Sequence, residues 1–135
     1  MAIVTMQGFA KKERSLIAPE TLTNADVGKV VALDTAANTI KLASDGDVIL
    51  GLLEQVEDRR SQAQGVIATV AFEFGARVSY TGTLNVGDLV VADGNGGVRK
   101  VKAGEAEGND TIPAGVVLPR VFEIDSAAKT AVIDK

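Results

Sequence analysis

Acidic residues close together in the chain are the first candidates for chemistry: Asp45 with Asp47, and Glu54, Glu57 and Asp58 within one short stretch. Two carboxylates flanking a glycosidic bond can serve as acid and as nucleophile or base. Such sites also stack aromatic rings on the sugar, and this chain has one Tyr, four Phe and no Trp. The acids therefore read as a solvated surface. The run Asp93-Gly-Asn95-Gly-Gly97 opens like a calcium loop, but Val98 stands where the sharp turn needs Gly and Gly104 where a bidentate Glu is needed. Its glycines lack the third member and the following helix of a phosphate cradle, so it reads as a turn. Arg59-Arg60 could grip a phosphate or a partner's carboxylate. With no His and no Cys, the chain has no Ser-His-Asp or Cys-His nucleophile, thiolate or imidazole zinc site, haem ligation, iron-sulfur cluster or disulfide. No catalytic residue, cofactor or metal is expected, and the chain does not read as an enzyme.

The elements that would position any site belong to one small protein. The length of 135 residues fits one domain, and a 46% hydrophobic content with only 4% aromatics makes the core aliphatic. Eighteen acidic against fourteen basic residues give a net charge of -4. That sign disfavours nucleic acid and anionic membrane as partners. Nothing near Met1 resembles a secretion signal, and no stretch has the apolar length of a membrane span, so synthesis in the cytosol is expected.

From Val27 onward short β-branched runs are punctuated by Gly, Asp and Asn, which predicts an antiparallel β domain over residues 27–135. The clearest strand alternates Val66, Ala68, Val70, Phe72 and Phe74 on one face with Ile67, Thr69, Ala71 and Glu73 on the other. Further strands are expected over residues 29–33, 39–43, 48–55, 76–80, 88–92, 97–102, 115–124 and 130–133, with residues 54–64 as a charged loop. The fold class is mainly β, a small antiparallel β-barrel or β-sandwich with an extended N-terminal arm, residues 1–26.

The domain also echoes itself. Val27-Gly-Lys-Val-Val-Ala-Leu-Asp34 aligns without gaps on Val86-Gly-Asp-Leu-Val-Val-Ala-Asp93, and each is followed by a turn, a short strand and an apolar strand containing glycine: residues 49–53 in one copy, 113–117 in the other. This suggests an internal duplication, 27–56 and 86–124, with two similar β units around one core.

The order of features from Gly28-Lys-Val-Val-Ala-Leu33, through Ile49-Leu-Gly-Leu-Leu53, Ala76-Arg-Val-Ser-Tyr80 and Leu84-Asn-Val-Gly-Asp-Leu-Val-Val-Ala92, to Ala114-Gly-Val-Val117 resembles the small capsid decoration, or cement, proteins of tailed bacteriophages. The resemblance covers residues 27 to about 120. It implies a structural protein on the outer capsid surface of the virion, with the major capsid protein as partner. It further implies self-association as a homotrimer that clamps neighbouring capsid subunits. A β-barrel binding module, such as a head-fibre base or a receptor or carbohydrate attachment domain, is the alternative with the same composition.

The arm carries Ile3, Val4, Met6, Phe9, Leu16 and Ile17, too irregularly spaced to form one face of a strand or helix and too numerous to leave in water. They are the expected contacts with a neighbouring subunit or the capsid floor. Lys11, Lys12 and Arg14 would add attraction to an acidic shell, and Arg59 and Arg60 complete the candidate interface. The competing expectation is that the arm is an edge strand of its own sheet.

Overall fold

In the computed structural model residues 13–102, 105 and 117–135 are described. The chain is mainly β, with ten strands among these residues: β1 (Glu13–Ala18), β2 (Val30–Leu33), β3 (Ile40–Leu42), β4 (Gly51–Arg59), β5 (Gly65–Ala71), β6 (Gly75–Ser79), β7 (Val90–Ala92), β8 (Val98–Lys100), β9 (Arg120–Asp125) and β10 (Thr130–Asp134). The first five form one antiparallel sheet in the order β1-β5-β4-β2-β3. The second five follow the same order, β6-β10-β9 and then β7-β8, the two groups joined by a bridge between Leu89 and Arg120. Each sheet curls until its ends meet at one parallel bridge, Ile17 with Thr39 and Tyr80 with Val98. This stops short of a laddered, closed barrel, and the two curled sheets pack together in a sandwich-like arrangement.

The two units agree bond by bond. Gly28 N–H donates to Leu53 O at 2.8 Å and Leu53 N–H to Lys29 O at 2.9 Å; Gly87 N–H donates to Val121 O at 2.8 Å and Val121 N–H to Asp88 O at 2.9 Å. Both glycines sit at φ +93°, a left-handed conformation that L side chains rarely adopt. Glu54 is the extra residue of a β-bulge in β4, and Phe122 is the extra residue of a bulge at the corresponding place in β9. This register equates Leu53 with Val121. The counterpart of residues 49–53 is therefore 117–121, not 113–117.

Each unit has its own aliphatic core. Leu16, Leu22, Val31, Ile40, Leu53, Ala68 and Val70 fill the first, and Val78, Leu84, Val90, Val98, Val121, Ala131 and Ile133 hold the corresponding places in the second. Val30, Ala32, Ala43 and Ile49 leave the first unit and join the second unit's core, which makes one continuous body. Burying side chains of this size contributes roughly 1.5–3 kcal/mol each, so the seam between units is strongly held.

Two sequence expectations are corrected. The arm does not extend to residue 26: Glu13–Ala18 is a strand laddered along β5 from Glu13 opposite Ala71 to Ala18 opposite Val66, because Leu16 and Ala18 alternate into the core while Ser15 and Ile17 face out. Leu22 is buried as well, and Thr23 caps a short 3-10 turn, Asn24–Asp26. Residues 54–64 are not a loop, since β4 runs through to Arg59 before a 3-10 turn, Arg60–Gln62, leads to β5.

Candidate docking surfaces

Of the acids singled out in the sequence, Asp45, Asp47, Glu57 and Asp58 are each held in structural bonds. Asp45 accepts from Arg99 Nε at 2.7 Å, whereas Asp47 accepts from Ser44 N–H at 2.9 Å and faces Lys41 Nζ at 3.3 Å. In the second unit Lys102 N–H donates to Glu105 at 3.0 Å and Arg99 pairs with Glu105 at 2.6 Å, so the cation, turn and acid of Lys41–Asp47 recur at the same spacing as Arg99–Glu105. Arg99 is 11% exposed at its side chain and grips both Asp45 of the first unit and Glu105 of the second. It thus closes the seam between units. Its hydrogen bonds hold the Glu105 carboxyl at about 2, well below the usual range. Asp93 receives Thr81 Oγ1 at 2.7 Å and the amides of Asn95 and Gly97, so the Asp93–Gly97 run is a side-chain-capped hairpin turn. Among the described residues no group of three or more acids could hold a metal ion.

Of the candidate interface residues, Ile3, Val4, Met6, Phe9, Lys11 and Lys12 lie outside the described residues. Leu16 is a correction: it is buried opposite Ala68 and cannot dock on another chain. Ile17 is half exposed, but its N–H already donates to Asn38 O at 2.8 Å, and Arg14 reaches Asn38 Oδ1 at 3.4 Å. Arg59 and Arg60 are engaged by the acids two residues before them, Glu57 at 2.7 Å and Asp58 at 2.7 Å. The Arg60 fork donates to both Asp58 oxygens and drives that carboxyl down to about 2. Both pairs are exposed, and their guanidinium groups are not free for a partner without giving up these bonds.

The structure brings other residues forward. Val86 is 66% exposed, Phe122 60% and Val117 68%, with Leu89 partly exposed beside them in sequence and ladder. The Gly87–Val121 hydrogen bond and the Leu89–Arg120 bridge set Val86, Leu89 and Phe122 around one junction of β7 and β9. Phe122 faces out because the bulge keeps Val121 and Ile124 on the inner side. In the first unit the same positions are occupied by Val27, Val30 and Glu54, and Val30 is fully buried against the second unit. The sequence signal for this face was present in the repeated Val-Gly turn, but which copy is covered depends on the packing of the units.

A groove of about 460 Å³ runs beside the seam, lined by Leu33, Lys41, Asp47, Val48, Val117 and Lys135. Leu33 is 60% exposed. Lys135 Nζ donates to Ile49 O at 3.0 Å and Leu50 O at 2.7 Å, and burial pushes its pKa down. The lining is apolar with a few charged groups at its edge, which suits a protein segment or apolar ligand better than bond-making chemistry. No family model matches the chain, and no curated protein matches it significantly.

Proposed function

We propose that this chain is a capsid decoration, or cement, protein of a tailed bacteriophage, a homotrimer that binds the outer surface of the head and clamps neighbouring copies of the major capsid protein. The observation that carries the reading is the exposed apolar junction of Val86, Leu89 and Phe122 on a rigid duplicated β scaffold. A shell-binding protein needs a surface of that kind, and repeated weak contacts on an ordered lattice multiply into firm attachment. The polar residues described above stabilise turns and the seam, as a purely structural role requires. For carbohydrate attachment the aromatic supply is poor: Phe72 and Phe74 pack on the cores and Tyr80 is buried beneath Lys129, which leaves Phe122 as the one exposed ring among the described residues.

The test is electron microscopy of the protein mixed with purified, undecorated heads of the phage that encodes it, alongside light scattering of the free protein. Discrete density at threefold or quasi-threefold positions and heads that resist heating longer are the expected results. Folded protein at saturating concentration that leaves the heads bare would overturn the proposal.

A further inference from the structure

The two units treat one hairpin edge differently. In β7 the N–H and C=O of Ala92 point away from β8, and both are taken by the first unit: Ala92 N–H donates to Asp47 O at 3.1 Å and Gly46 N–H donates to Ala92 O at 2.9 Å. The neighbouring Asp45 carboxylate reaches Arg99, and the following Ile49 is buried in the second unit's core. An acidic turn, Ser44-Asp45-Gly46-Asp47, closed by Asp47 N–H to Ser44 O at 3.0 Å with Gly46 at φ +86°, thus sits against that edge, and Val48 and Ile49 follow it.

Leu33 is the counterpart of Ala92, since Leu33 opposite Ile40 and Ala92 opposite Val98 hold the same place in their hairpins. The Asp34 N–H bond to Thr39 O and the Asp93 N–H bond to Gly97 O fix the phase, so the Leu33 N–H and C=O also point away from the hairpin partner. Among the described residues no segment lies along them. Instead they open on the groove of Leu33, Lys41, Asp47, Val48, Val117 and Lys135, where Lys41 stands in the place of Arg99 and Asp47, facing it at 3.3 Å, in the place of Glu105.

The geometry points to a docking site for an acidic turn of another protein, set against the Leu33 edge as the turn Ser44–Asp47 is set against the Ala92 edge. Main-chain bonds would come from Leu33, the turn's carboxylate would meet Lys41, and a β-branched residue just after it would enter the apolar groove. Lys41 faces Asp47 at 3.3 Å and can meet a second carboxylate beside it, as Arg99 holds Glu105 and Asp45 together; the Lys135 amine is taken by the Ile49 and Leu50 carbonyls. The inference does not depend on the capsid reading, because it concerns the chemistry of the bound segment and is tested without heads.

The probe is a peptide with the sequence of residues 43–50, Ala-Ser-Asp-Gly-Asp-Val-Ile-Leu, added to the full-length protein and followed by amide NMR. In the free protein the Leu33 amide should exchange rapidly. With peptide it should become protected, and shifts should localise to Leu33, Lys41, Val48 and Val117. N-methylation of the peptide's glycine amide, which removes the donor that corresponds to Gly46 N–H, should abolish binding. Lys41→Glu should weaken the acidic peptide about fivefold at low salt, as expected for an exposed ion pair, and a peptide with Lys for its first Asp should recover the loss. A Leu33 amide already protected in the free protein, no shift at millimolar peptide, or binding indifferent to N-methylation would each overturn the site. Shifts at Leu33 that grow with protein concentration alone would assign the groove to a second copy and equally overturn it.

Discussion

Glu105→Gln isolates the clamp that joins the two units. Glu105 accepts from Arg99 Nη1 at 2.7 Å and Nη2 at 2.6 Å, a two-pronged contact, and from Lys102 N–H at 3.0 Å. Its carboxyl is lowered from 4.5 to about 2, first by the Arg99 hydrogen bonds. At about 1.4 kcal/mol per unit the full shift sets a ceiling of about 3 kcal/mol. Water at the open Asp45 side of the cluster screens the interaction, so about 1–2 kcal/mol is the expected contribution. Because the folded-state pKa is depressed, that contribution is complete above pH 4.5 and is lost as pH falls through about 2.

Chemical denaturation of the wild type and the variant at several pH values between 2 and 7 measures it. The variant should be less stable by about 1–2 kcal/mol at pH 7, and the gap should narrow through pH 3 toward zero near pH 2. A gap that stays constant across that range would show that the loss comes from packing or amide geometry and not from the ion pair. A difference below about 0.3 kcal/mol at pH 7 would place the cluster among surface pairs of no consequence.

Leu53→Ala and Val121→Ala empty corresponding core positions and should each destabilise the protein, Leu53→Ala by about 2–5 kcal/mol and Val121→Ala by less, measured by urea denaturation. Gly51→Ala should also destabilise, by about 1–3 kcal/mol, because its new Cβ would meet the Ala71 carbonyl and the Val70 side chain; thermal melts check it. Phe122→Ser should change stability by less than about 0.5 kcal/mol while reducing head occupancy seen by microscopy. With no His in the chain, stability should vary little between about pH 6 and 8. Removal of residues 2–20 should unfold the first unit, since it deletes β1 and Leu16, whereas removal of residues 2–12 spares both and should lower head binding or trimer formation.

The strands with unbroken alternation were legible. Residues 66–71 of β5 place Val66, Ala68 and Val70 inward as their spacing predicts, and the turn at Asp93–Gly97 was marked by its residue types. The distal part of β4 was not, because the bulge at Glu54 puts Leu53 and Val56, three residues apart, on the same inner face. A period of two cannot reveal a strand whose phase shifts midway. β1 was hidden for another reason. Its Arg14 and Ser15 interrupt the apolar sequence, and only the partner strand β5 shows that Leu16 and Ala18 share a face. The engagement of Arg59 and Arg60 by Glu57 and Asp58 depends on neighbouring side chains reaching each other at the end of β4, which composition alone does not fix.

The candidate docking surfaces have a common physical origin in the repeat. When two copies of one fold pack together, each position exists twice, and burial by the seam selects one of the pair for the interior. Val30 and Ile49 of the first unit are fully buried by that packing, while their counterparts Leu89 and Val117 remain at the surface. Ala92 receives a neighbouring segment along its edge, while its counterpart Leu33 faces a groove. Glu54 at one bulge keeps a polar surface; Phe122 at the other does not. An apolar side chain in the first copy is explained by the seam, but the same character in the second copy is not, because nothing in the described fold covers Phe122 or Val117. Single exposed apolar residues are ordinary, whereas Leu89 and Val117 stand at positions whose twins form a core, which is the feature that the proposed contact role accounts for.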